Sequence, residues 1–527
     1  MSTRRRGRIG RARLWVHNGP SSNFPEQYLG RPPTGVCFSG GGTRSFAATI
    51  GQLRGLTMLG LLPKVGYVSA VSGGAWAAAA HAFYAGPGTS DRDILGPVVE
   101  PETITDRVLG SIGPGNLGIA ATLDFRRTLT ALDADPDVGR DRVWVEAVGR
   151  TFLQPFGLFD ARHPTFTLDA ATRDAIVARN PDLAGCPMHL VRGEAHPYLL
   201  VHATLNWPAT GSSEPHKVAF EYAPLAVGAP TPVTLKATGR RHPVGGGFVE
   251  PFAFGCRAPV NTVGTDGVAT VELPERGFTL ADAIGASSAF RVVGRDLGNY
   301  PHAACWPVTG RGGEPTTAEV FTDGGDLENY GLIALLRRRV RRVVVFVNTE
   351  CPLPTARRAT SAPTTWPDDS NPDRGPIDPF LAPLFGAPSD RFPHNRVFPE
   401  AEFDMLVAGL QTAKRASRSV TTTLTHRVVA NDWWGVSGGW ETRICWVYNE
   451  RVPEWEARLP AQLRREVEAG QAENSEGRFA HFPHYRTRGQ NPGCLIRLTP
   501  EQVNLLAHLG CWNVTANADT MHDLLGG

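Results

Sequence analysis

Two junctions of one kind, close together in the chain, restrict its fold more than any other feature. Gly35-Val36-Cys37-Phe38 is a short apolar run ending in Ser39-Gly40-Gly41-Gly42-Thr43-Arg44. Ser45 to Leu62 then carries Phe46, Ile50, Leu53, Leu56 and Leu59 at helical spacing. Tyr67-Val68-Ser69-Ala70-Val71 is a second apolar run, which ends in Ser72-Gly73-Gly74 and passes into the alanine-rich stretch Ala75 to Tyr84. Strand, glycine turn, helix, strand is a βαβ unit, and a strand that returns after a helical crossover lies parallel to the first. A parallel sheet needs helices on both faces, so the chain is read as α/β.

Further strands are expected at Tyr198–Ala203, Lys217–Tyr222, Ala318–Thr322 and Val343–Val347. Further helices are expected at Leu280–Ala289, Ala401–Ala416, 459–469 and 500–509, with a Trp-rich hairpin over Trp433–Trp446. Residues 1–33 read as a basic, flexible lead-in. Residues 34–527 read as one elaborated domain, because no linker divides the motifs. Within it lie a motif core at 35–348, a Pro-rich loop or lid at 351–399, and a helical and Trp-rich elaboration at 400–527. A net charge of +2 leaves no electrostatic footprint for nucleic acid. The eight cysteines stand singly, without zinc spacing, which fits free thiols in a reducing compartment. No metal and no cofactor are expected. The basic start, MSTRRRGRIGRARLW, has no apolar run behind it, and Val65 to Gly86 is broken by glycines, serines and a histidine. Neither reads as a signal peptide or a membrane span, and a cytoplasmic protein is expected.

A serine nucleophile is the chemistry these turns suggest, and two serines compete for it. AVSGGAW at 70–76 is nearly repeated as GVSGGW at 435–440. The second copy fits G-x-S-x-G letter for letter, whereas the first has Ala70 where the leading glycine belongs. Context decides between them. A nucleophile elbow needs a strand before the serine and a helix after it. Ser72 has both. Ser437 is followed by WETRICWVY, which reads as a strand, so its glycines read as a hairpin loop.

Two more motifs bear on Ser72. Gly40, Gly41 and Gly42 leave backbone N–H groups unobstructed at a helix start, which suits a developing oxyanion. A nucleotide loop is excluded, since GxxxxGK[ST] is absent and GxGxxG with a downstream acid fails. Phe321-Thr322-Asp323-Gly324-Gly325 follows a strand. Asp-Gly-Gly alone is an ordinary turn, but at a strand end beside Ser72 it supplies the general base a serine requires.

In this order the three motifs resemble the patatin-like phospholipases, and more closely their branch with the cytosolic phospholipase A and fungal lysophospholipase catalytic domains. Phe220-Glu221-Tyr222-Ala223-Pro224, Gly246 to Gly255 (GGFVEPFAFG), Ala283 to Phe290 (AIGASSAF), and Asp323-Gly324-Gly325 followed by Asn329 and Leu332 are similar to that branch too. The resemblance runs from about Gly35 to Asn348. It implies a patatin-like three-layer α/β domain, its central and mostly parallel sheet flanked by helices. It also implies a lipid acyl-ester hydrolase, of phospholipase A or lysophospholipase type, acting through an acyl-enzyme on phospholipid or lysophospholipid.

Position by position, the resemblance makes Ser72 the nucleophile and Asp323 the proton acceptor of a two-residue dyad. Gly40, Gly41 and Gly42 become oxyanion donors, and Arg44 the contact to the lipid phosphate. For Arg44 the residues leave an alternative open, a helix N-terminal arginine paired with a nearby acid. Ala70 departs from the family's glycine by the mildest replacement. Calcium-dependent recruitment is not implied. Two rival readings remain. One is an α/β-hydrolase triad of Ser72, an acid and His481, His484, His508 or His522, which leaves the glycine loop and the DGG turn unexplained. The other is a non-catalytic lipid-binding protein on the same fold. Peripheral membrane contact is expected either through Trp433, Trp434, Trp440, Trp446 and Trp455 or through the Pro-rich loop; for the tryptophans, core packing is the alternative.

Overall fold

In the computed structural model the first three strands are β1 (Ile9–Val16), β2 (Thr34–Phe38) and β3 (Tyr67–Val71), and the first two helices are α1 (Gly42–Met58) and α2 (Ser72–Phe83). The structure describes residues 8–16, 24–84, 86, 90–193, 195–208, 215–237, 239–256, 263–290, 299–305, 317–355, 377–472, 475–486 and 497–526. β2 and β3 pair in parallel across the α1 crossover, with Phe38 opposite Ala70. The parallel set continues outward through Tyr198–Trp207 beside β3, Arg342–Val347 beside β2, and Trp440–Tyr448 beyond.

These strands are apolar on both faces because both faces are covered. Val36, Phe38, Val344 and Phe346 enter one core with Phe46 and Trp76; Cys37, Val343, Val345 and Val347 enter a second with Leu332, Ile333 and Leu336. Alternate residues of one strand thus serve opposite layers. The expected α/β architecture, helices flanking a central parallel sheet, is what forms. Antiparallel strands extend it on both sides into a 13-stranded sheet. One of them, Thr317–Asp323, pairs antiparallel with Tyr198–Trp207 and brings Asp323 opposite Ala203.

Three expectations change. Residues 1–33 are not a flexible lead-in throughout: β1 pairs with Gly247–Val249 and Val268–Glu272, burying Ala12 and Leu14. Its exposed positions include Arg11 and Arg13, and that charge disguised a period-2 strand. Residues 1–7 lie outside the described part. In the segment 351–399, residues 356–376 also lie outside it, but residues 377–399 form no surface loop. Ile377, Leu381, Leu384, Val397 and Phe398 are buried in the second core, apolar side chains fitted against the sheet rather than offered to solvent. Trp434, Trp446 and Trp455 are likewise buried, with Trp433 and Trp440 packed against the second core. Core packing, not a membrane face, accounts for the tryptophan cluster. Among the described residues no helix is long and apolar enough to cross a membrane.

Candidate active site

Strand β3 ends and helix α2 begins at Ser72. Val71 is still extended at φ −128°, ψ 138°, whereas Ser72 takes φ +52°. A left-handed conformation at a residue with a Cβ costs about 1–2 kcal/mol, and it turns the hydroxyl off the strand end. The Ser72 N–H donates to Ser287 Oγ at 2.9 Å, which pins the turn. Gly73 comes next because nothing larger fits: a Cβ there would lie 2.0 Å from the Gly42 carbonyl oxygen. Elbow and glycine loop therefore meet backbone to backbone.

Asp323 reaches the same place along the same edge of Tyr198–Trp207: β3 pairs with that strand as far as His202, Asp323 stands opposite the next residue, Ala203, and His216–Tyr222 takes the other edge. The Ser72 hydroxyl donates to Asp323 Oδ2 at 2.8 Å, and the Gly325 N–H donates to Asp323 Oδ1 at 2.8 Å. Ser72 is 7% exposed and Asp323 5%. Burial is the largest influence on the Asp323 carboxyl and, with the nearby Asp326 carboxylate, pushes its pKa up to about 7. Hydrogen bonds from Gly325 and Ser72 and the positive charge of Arg391 oppose the rise. A carboxyl balanced near neutrality both accepts and returns a proton, which is what general acid–base work needs.

No histidine hydrogen-bonds Ser72 or Asp323 among the described residues. His484 is bonded to the Asn449 carbonyl and His508 to Arg54, while His522 is exposed on the last helix. The backbone N–H of His481 donates to the Gly470 carbonyl at 2.9 Å. Ser437 sits in the hairpin loop between Thr421–Val428 and Trp440–Tyr448, where its Oγ accepts from Arg339 Nε at 3.1 Å.

The glycine loop is only partly as expected. Gly40 donates its N–H to the Asn329 carbonyl at 2.9 Å, so it is already used and drops out as an oxyanion donor. A Cβ at Gly40 would strike Asn329 Oδ1 at 2.3 Å and approach Ser72 Cβ to 3.3 Å, which places Asn329 beside the nucleophile. Gly41 has φ +141°, open to glycine alone, and Gly42 starts α1, where the first N–H groups have no acceptor within the helix.

Arg44 is enclosed beneath this loop. Its Nε donates to the Asn348 carbonyl at 3.0 Å, and its Nη1 to the Tyr485 carbonyl at 2.8 Å and Glu350 Oε2 at 3.2 Å. This is the acid-paired alternative, and it displaces the expected phosphate contact: the guanidinium is committed inward. Asn348 ties the floor together, accepting from Gln52 at 2.7 Å and donating its N–H to Ser39 Oγ at 2.8 Å. Ser287, Asn329 and Asn348 all touch the site or its floor, yet sequence reasoning assigned them no role. Their only signal was membership in the similar segments.

No protein-family model matches the chain. Over 87 residues it is 38% identical to human cytosolic phospholipase A2 beta, covering 16% of this chain and 11% of that protein. Over 84 residues it is 37% identical to mouse cytosolic phospholipase A2 zeta, covering 16% of this chain and 10% of that protein. The matched segments thus span about a tenth of these relatives' length. Among solved structures, human GIVD cytosolic phospholipase A2 aligns over 94% of this chain and 60% of its own, at 15% identity and a TM-score of 0.44. The resemblance carried by the motifs holds.

Proposed function

We propose, with the chain's resemblance to the cytosolic phospholipase A2 branch of the patatin-like phospholipases as premise, that it is a lipid acyl-ester hydrolase of phospholipase A or lysophospholipase type. The observation that carries this reading is the 2.8 Å hydrogen bond from Ser72 to a buried Asp323, made at a strained strand–helix turn against the glycine loop. The substrate is a phospholipid or lysophospholipid, met by peripheral contact with its aggregate.

In the first step Ser72 Oγ attacks the acyl carbonyl as its proton passes to Asp323. Negative charge builds on the carbonyl oxygen, next to the start of α1. There the N–H groups of Gly42 and Gly41, with the positive end of the helix dipole, offset it. As the ester C–O bond breaks, Asp323 returns the proton to the departing alcohol and the acyl group stays on Ser72. Water then attacks the acyl-enzyme and gives a proton to Asp323. Collapse of that intermediate frees the fatty acid and restores the hydroxyl.

Lipid product analysis with purified protein tests the reading, with phospholipid, lysophospholipid and triacylglycerol presented side by side. Fatty acid release that disappears in Ser72→Ala supports it. Release that persists in Ser72→Ala, or labelling by a fluorophosphonate at another residue, overturns it.

A further inference from the structure

Strand Tyr198–Trp207 pairs with β3, which ends at the nucleophile, and with Thr317–Asp323, which ends at the acid. Its two faces differ. Val201, Ala203 and Leu205 enter the first core. The alternate positions begin as Tyr198 and Leu200 in the second core, then turn polar at His202, Thr204 and Asn206, all three buried. The change comes where the strand exchanges one neighbour for the other: His202 is opposite Val71, and Ala203 is opposite Asp323. A buried polar side chain left without a partner costs about 1–3 kcal/mol, so the partners say what the row does.

Each of the three reaches the segment that carries Asp323. Asn206 Nδ2 donates to Thr322 Oγ1 at 3.0 Å, and Thr204 Oγ1 donates to the Asp323 carbonyl oxygen at 2.9 Å. His202 acts through one more residue. Ser69 Oγ gives its single hydrogen to the Gly331 carbonyl at 2.7 Å, so His202 Nε2, 2.6 Å away, is the donor to that oxygen. Two glycines make the approach possible. A Cβ at Gly324 would lie 2.5 Å from the His202 carbonyl oxygen, and one at Gly331, where φ is +76°, would lie 2.4 Å from Ser69 Oγ. The turn from Asp323 to Gly331 is therefore held at its first residue by Thr204 and at its last by Ser69 and His202.

We propose that Thr204 and His202 are positioning residues for the dyad: by fixing the two ends of the 323–331 turn they hold the Asp323 carboxyl at the Ser72 hydroxyl. This rests on the hydrolase reading above. Neither side chain bonds the Ser72 hydroxyl or the Asp323 carboxyl; Thr204 acts through the main chain of the acid, and His202 through Ser69 and the far end of the turn. Their loss therefore falls on turnover and leaves ester binding as it was. Misplacing a reacting group by about 1 Å costs about 100-fold in rate, so a turn that loosens by a fraction of that distance is measurable.

The test uses the full chain with p-nitrophenyl butyrate, and a fluorophosphonate whose labelling rate reads the reactivity of Ser72 without turnover. Thr204→Val keeps the shape of the side chain and removes its hydroxyl. It lowers kcat by about 10- to 100-fold while KM stays within about twofold, and it slows labelling by a similar factor. Thr204→Ser, which keeps the hydroxyl, restores most of both. Wild-type kcat in Thr204→Val overturns the inference, as does a loss carried by KM. A loss that Thr204→Ser fails to restore overturns it too, because packing and not the hydrogen bond would then be its cause. If Thr204→Val does not fold, Ser69→Ala decides, since it releases the Gly331 carbonyl and takes the acceptor from His202. A lowered kcat at unchanged KM there supports the inference, and a wild-type kcat overturns it. Ser72→Ala run in parallel separates the two claims. Turnover surviving in Ser72→Ala removes the hydrolase reading itself. Turnover lost there, beside a wild-type kcat in Thr204→Val, removes only the positioning role.

Discussion

Arg44→Ala separates a residue that holds the loop from one that binds substrate. In the structure the guanidinium is 3% exposed and satisfied by the Asn348 and Tyr485 carbonyls and the Glu350 carboxylate, itself 13% exposed. Truncation leaves Glu350 without this partner and two carbonyls without donors. Removing one member of a buried pair costs about 3–5 kcal/mol, mostly through the charge left behind. The loss is therefore expected in stability first, read as a lower midpoint in denaturant followed by circular dichroism. Because Arg44 lies under the glycine loop, kcat/KM falls on a lysophospholipid and on a neutral short-chain ester together, and their ratio stays within about threefold. Arg44→Lys recovers a fraction only, since one ammonium cannot reach both carbonyls and the acid as the fork does. The reasoning is refuted if Arg44→Ala keeps wild-type stability and loses activity on the phosphate-bearing substrate alone. The guanidinium would then face the lipid.

The same geometry sets further outcomes. Ser72→Ala abolishes ester hydrolysis and fluorophosphonate labelling, whereas Ser437→Ala leaves both near wild type; labelling that moves to Ser437 contradicts this. Turnover rises with pH through about 7 as the Asp323 carboxyl ionises, a trend visible in the pH dependence of kcat/KM. A carboxyl raised in the folded state favours folding below its unfolded pKa and loses that contribution as pH climbs through about 7. Asp323→Asn therefore removes activity by orders of magnitude yet raises the thermal midpoint at neutral pH, and a lowered midpoint would contradict the burial argument. Ser287→Ala leaves the Ser72 N–H without its acceptor, costing about 1–3 kcal/mol in chemical denaturation and reducing kcat with KM little changed.

The parts of this protein legible in its sequence are those whose cause is local. An apolar run, a pair of glycines and an alanine stretch suffice to specify a strand, a crowded turn and a helix, so the βαβ unit could be read directly, with Ser72 at its strand–helix turn and Ser437 in a hairpin loop. The place of Asp323 was legible for the same reason, because its turn comes directly after its own strand. What tertiary structure alone decided is which polar groups remain available. Gly40 looks like a donor until Asn329 takes its N–H, and Arg44 looks like a phosphate ligand until Asn348, Glu350 and Tyr485 surround it. Strand β1 was hidden by its arginines until its partners, Gly247–Val249 and Val268–Glu272, came from far along the chain. A short stretch of sequence determines what a residue is able to do, because propensity and sterics act over a few positions. Whether the residue is free to do it depends on partners hundreds of positions away, and only packing brings those into reach.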